Sequence, residues 1–183
     1  MAKIKIMLED GATMPTRATS GSVGYDVTCL RFYVVDFDDN KRQIETEDDL
    51  EELADDKFQV DYVELHTGVH VQPEDGYRID LCPCSRIAKT HVIYGNGIGH
   101  IDPDFTGGMR VILNTVDDGW YIRDLKKFLP SCVIGQLIIL PKIDADWIVT
   151  DKLDETDRAD GGFGSTEKTL WVTLKHVTIL YKW

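Results

Sequence analysis

Alternation is the dominant signal in this chain. "KIKIML", "DVTCLRFYVV", "QVDYVELHTGVHV", "YRIDLCP", "GMRVILNT" and "VIGQLIILPKI" are short runs of alternating or β-branched apolar residues separated by turn residues. A period of two sends successive side chains to opposite faces of a strand, so these runs predict an all-β sandwich or barrel. "TEDDLEELADD" is the clearest helical stretch: Thr46 with Asp49 three residues on makes a capping box, and Leu50 and Leu53 give a narrow apolar stripe. "RDLKKFL" before Pro130 predicts a helical turn, and "TLWVTLKHVTILYKW" predicts an extra C-terminal strand over 167–183.

A length of 183 residues suits one domain, 1–183, able to bury a core without disulfide or metal staples. No apolar run approaches the roughly 20 residues that span a bilayer, so no membrane association is expected. "MAKIKIMLEDGATMPTR" carries no apolar leader, which makes the cytoplasm the expected compartment. The net charge of −12 argues against direct DNA binding, because that grip comes from many lysine and arginine contacts to phosphate. The acidity is uneven: between Asp36 and Asp56 the local charge is −9, marking residues 36–57 as an acidic insertion. It reads either as a solvated excursion or as a surface for a protein partner. Cys29, Cys82, Cys84 and Cys132 lack metal-site spacing and read as reduced thiols, while His66 and His70 are expected on one face of one strand.

Chemistry is concentrated in two glycine-rich stretches. In "VIYGNGIGHIDPDFTGG", Gly95-Asn96-Gly97 predicts a hairpin turn through which a planar ligand could reach backbone groups. Asp102 before Pro103 is either a turn former or a carboxylate held at a strand end. In "RADGGFGST", residues 158–166, glycines flank Phe163, which suits either a plain turn or an arm that must approach something closely.

Taken together, these stretches resemble the five ordered motifs of the trimeric dUTP diphosphatases. "SVGYDV" resembles the first motif, "LCPCSRIA" the second, Gly95-Asn96 with Gly99, Ile101-Asp102 and Phe105 the third, "VIGQLII" the fourth and "RADGGFGST" the fifth. The resemblance spans about residues 10–35 and 58–166 and implies a jelly-roll-like subunit, a homotrimer with shared active sites, and hydrolysis of dUTP to dUMP and pyrophosphate that keeps uracil out of DNA. It further implies that Asp102 activates the attacking water, and that Asn96, Gly99 and Ile101 belong to the base slot. Phe105 would pack beneath deoxyribose, and Ser85 and Gln136 would meet phosphates, with Arg86 or Lys89 the candidate to supply the second motif's missing charge from a neighbouring position, although one step along a strand turns to the opposite face. Arg158 would meet the γ-phosphate and Phe163 would cover the uracil, with Gly164 and Ser165 completing the arm. Asp26 would hold Mg2+ through water. An unusual insertion in a small diphosphatase points to a phage or virus, hence to host cytoplasm.

Three departures qualify the resemblance. The second motif reads Pro83-Cys84-Ser85-Arg86, so the family's phosphate-facing arginine is replaced by cysteine. Phe105 stands where the family has tyrosine, and a further 17 residues follow Thr166. Two rival readings remain: a regulatory binding protein acting through the acidic insertion, and a dCTP deaminase, against which "GGMRVILNT" offers no glutamate.

Overall fold

The structure, a computed structural model, describes residues 2–55 and 59–161, which fall into one unit ending at Asp144 and another beginning at Ala145. In chain order the first unit holds β1 (Ile4–Leu8), β2 (Tyr25–Thr28), β3 (Arg31–Asp36), β4 (Lys41–Ile44), α1 (Glu47–Asp55), β5 (Val60–His66) and β6 (Val69–Pro73). It continues through β7 (Tyr77–Pro83), β8 (Val92–Tyr94), β9 (Gly99–Ile101), β10 (Arg110–Thr115), α2 (Ile122–Leu125) and β11 (Val133–Pro141). The expected all-β class is what is found, with α1 inside the acidic insertion and the second short helix where "RDLKKFL" begins.

Three antiparallel sheets form, ordered β1-β6, β4-β3-β5-β10-β8 and β2-β11-β7-β9. Alternation dictates which side chains face inward. Val27, Phe32, Val34, Val63, Leu65, Ile79, Leu81, Val111, Leu113 and Leu137, drawn from both larger sheets, are buried in one cluster. Side chains between them in sequence point away from the core.

Several single runs of alternation prove to be two strands in different sheets. "DVTCLRFYVV" divides at Cys29 and Leu30 into β2 and β3. "QVDYVELHTGVHV" divides at Gly68, whose φ of +65° lies in the left-handed region and whose missing Cβ would stand 2.4 Å from the Leu30 side chain. His66 and His70 therefore do not share a strand face. His66 bonds Glu64 at 2.7 Å, while His70 Nδ1 donates to the Thr106 carbonyl at 2.9 Å.

α1 starts as its sequence dictates. The Asp49 amide donates to Thr46 Oγ1 at 3.3 Å and the Thr46 amide to Asp49 Oδ2 at 2.8 Å, the reciprocal capping box. Glu47, Asp48 and Asp49 crowd the first turn, where the helix dipole favours negative charge. Leu50 and Leu53 are buried against the main cluster, each contributing roughly 1.5–3 kcal/mol.

Candidate active site

Four of the five sequence motifs lie on the sheet β2-β11-β7-β9. Asp26 of β2 stands opposite Gln136 of β11, which stands opposite Cys82 of β7. Their neighbours Val27, Leu137 and Leu81 are buried, so this row projects from the sheet face turned away from the core. Gln136 Nε2 donates to Asp26 Oδ1 at 2.7 Å. Gly24 makes room for that contact: a Cβ there would come within 2.9 Å of Gln136 Cβ. Gly135 serves packing instead, since a Cβ would meet the Tyr94 hydroxyl at 2.7 Å. That hydroxyl donates to the Ile134 carbonyl, and burial pushes the phenol's pKa up.

The expected hairpin at Gly95-Asn96-Gly97 is a turn of another kind. The Gly97 amide donates to the Tyr94 carbonyl at 3.2 Å, and Gly97 has φ +68°, so a tight turn does form. Yet β8 pairs with β10 in one sheet, while β9 pairs with β7 in the other. The turn is a crossover between sheets, and the flanking strands are not partners. Asn96 is exposed at its tip, with its amide over Gly99, where a Cβ would lie 3.5 Å from Nδ2. Gly99 is opposite Leu81, and Ile101, opposite Ile79, packs against the core.

Asp102 follows directly and is exposed. The Phe105 amide donates to the Asp102 carbonyl at 3.0 Å, closing a turn that lays the half-exposed Phe105 ring across Gly107. A Cβ on Gly107 would stand 2.6 Å from the ring, so a larger residue there would push the ring aside.

Sequence reasoning passed over a charged group on the β7–β9 pair. Asp80 Oδ1 accepts from His100 Nδ1 at 2.9 Å and lies 3.3 Å from Arg78 Nε. The β7–β9 register places Asp80 directly opposite His100. Arg78 and Asp80 in "YRIDLCP" give no hint of His100, because only strand pairing brings it beside them.

The second motif ends β7 and begins a 3-10 turn, Ser85–Lys89. Ser85 and Arg86 are exposed, and Arg86 Nη1 donates to the Lys127 carbonyl at 3.0 Å. Cys84 faces inward, with its thiol 3.8 Å from the Val133 carbonyl. The residue in the place of the family's arginine therefore presents nothing to solvent on this edge.

In the second unit Arg158 is exposed, and its Nε donates to the Gly161 carbonyl at 2.8 Å. Phe163, Gly164, Ser165 and the expected strand 167–183 lie outside the described residues. No helix among the described residues is long and apolar enough to cross a membrane.

No protein-family model matches the chain. It is 31% identical over 160 residues to the deoxyuridine 5′-triphosphate nucleotidohydrolase of Hydrogenobaculum sp. strain Y04AAS1, covering 87% of this chain and 93% of that protein. Its structure resembles that of the Staphylococcus bacteriophage 80alpha dUTPase with dUPNHPP, with TM-score 0.67 and 20% identity over 90% of this chain and 98% of that one. It also resembles a dUTPase of phage phi11 of S. aureus, described with a structural Mg(II) ion, with TM-score 0.59 and 16% identity over 84% and 99% of the two chains.

Proposed function

The chain belongs to the deoxyuridine 5′-triphosphate nucleotidohydrolase family, and from that premise we propose how its own residues hydrolyse dUTP to dUMP and pyrophosphate. The carrying observation is the placement of four motifs on one sheet, with an exposed Asp102 at one edge and the Asp26–Gln136 pair at the other. Asp102 takes a proton from water as that water attacks the α-phosphorus in line. The bond to the bridging oxygen breaks and pyrophosphate departs. The crossover turn at residues 95–99 offers backbone donors and acceptors to uracil, with the Asn96 amide beside them. Phe105 lies flat enough to pack under deoxyribose. Ser85, Gln136 and Arg86 face the phosphates, Arg158 the γ-phosphate, and Phe163 with Gly164 and Ser165 covers the base.

Magnesium, when bound, neutralises charge on the triphosphate. Asp26 suits such an ion: its carboxylate is half-exposed and Gln136 holds one oxygen in place. Asp26 would hold the ion through water, as suits a cation that keeps several waters of its own.

Within one chain the two ends are far apart. Asp102 lies four residues along the sheet from the Asp26 row, about 13 Å, and three strand spacings across it, about 14 Å. Such a separation suits a site shared between copies, and the family resemblance supplies the number, a homotrimer; mass in solution tests this, and an active monomer would refute it.

β10, which follows the third motif, carries "RVILNT" and no glutamate, favouring hydrolysis over deamination. Incubating the protein with magnesium and dUTP, dCTP or dTTP separates the readings. Pyrophosphate and dUMP are expected from dUTP alone; dUTP formed from dCTP would identify a deaminase.

A further inference from the structure

A trough lies beside the acidic insertion, away from the strands that carry the motifs. One hollow of about 490 Å³ opens next to α1, walled by Phe37, Leu53, Val60 and Trp120. A second, of about 470 Å³, shares Phe37, Val60, Trp120 and Asp118 and runs on to Asp61. The Trp120 indole N–H donates to the Val60 carbonyl at 3.0 Å, fixing the ring as a wall. Phe37 leaves 70% of its surface in solvent at the rim. An exposed aromatic over an apolar hollow marks a surface built for contact.

Its charge is of one sign. Among the described residues, the charged side chains lining the two hollows are Asp61 and Asp118. The adjoining insertion carries a net −9 from Asp36 to Asp56. Among the described residues, three basic side chains nearby are already engaged: Lys41 with Glu64, Arg42 with Glu52, and Lys126 with Glu47 and Glu51. Nucleic acid and anionic ligands are repelled here. The two adjoining hollows together exceed what one side chain fills, as a peptide groove requires.

We propose that this trough docks a basic protein segment, one that seats a large apolar side chain against Phe37 and Trp120 while flanking lysines or arginines meet Asp61, Asp118 and the insertion. Steering by the acidic field speeds encounter, and the apolar anchor supplies most of the hold. This reading is independent of the hydrolytic one, because these residues lie outside the strands that carry the motifs.

The test is a random peptide library displayed on phage and panned on the full chain, with dUTP hydrolysis as the control for folding. Recovered peptides are expected to carry net positive charge around an aromatic residue, leucine or methionine. Phe37→Ser, at an exposed position, should weaken them about tenfold or more while leaving hydrolysis unchanged. Asp61→Asn with Asp118→Asn should weaken them severalfold, as should added salt. Acidic or uncharged winners, winners indifferent to Phe37→Ser, or no enrichment over a blank surface would each overturn the proposal. So would a fluorine label on Trp120 that shifts with protein concentration alone, which would mean that a second copy fills the trough.

Discussion

Two aspartates near turns show how differently one side chain can be used. Asp124, on α2, is buried and receives hydrogen bonds from the His91 ring at 2.8 Å, the His91 amide at 3.0 Å and Lys127 at 2.9 Å. Burial alone would raise its pKa, but the bonds from His91 and Lys127 outweigh burial and hold it at about 2. Asp102 is exposed, and among the described residues nothing is hydrogen-bonded to its carboxylate. The first carboxylate is fully used in holding the fold. The second keeps its lone pairs for something that arrives.

If that contrast is right, substitutions at the two sites have opposite signatures. Asp102→Asn should lower kcat/KM for dUTP by roughly 10²–10⁴, equivalent to about 3–5 kcal/mol, with an unchanged melting temperature. Retention of full activity would remove Asp102 from the mechanism. Asp124→Ala should cost about 2–3 kcal/mol of stability, because it strands the donors of His91 and Lys127, while the folded fraction keeps its turnover. Chemical denaturation with activity measured in parallel would check both halves.

Acid titration extends the comparison to Glu64. Its burial would raise the pKa, yet Lys41, His66 and Arg110 hold it at about 2. A folded pKa below the unfolded one stabilises above the unfolded value, and that stability is lost as pH falls through the folded value. Stability should therefore drop by about 1–3 kcal/mol between roughly pH 5 and 2, and Glu64→Gln should flatten that slope. Phe105→Tyr should change least, by less than about threefold in kcat/KM, since a ring lying on Gly107 keeps its packing when it gains a hydroxyl.

The sequence reported local geometry well and pairing poorly. Thr46 and Asp49 found each other because a capping box needs only residues three apart. Period two correctly separated Val27, Leu81 and Leu137 from Asp26, Cys82 and Gln136. The same period says nothing about which neighbour a strand bonds, so the splits at Gly68 and at Cys29–Leu30 were hidden inside unbroken alternation. For the same reason the Asp80–His100 contact, twenty residues apart, could not be seen. Cys84 was recognised as a departure from the family, but its inward orientation depends on β11 and lies beyond any reading of the motif itself.

The Tyr94–Gly97 crossover joins strands of two different sheets, so the base slot proposed there would take its width from both. Under that proposal, sliding of one sheet over the other would change the slot, and distant substitutions in the shared interior would retune the preference for uracil over thymine without touching a contact residue.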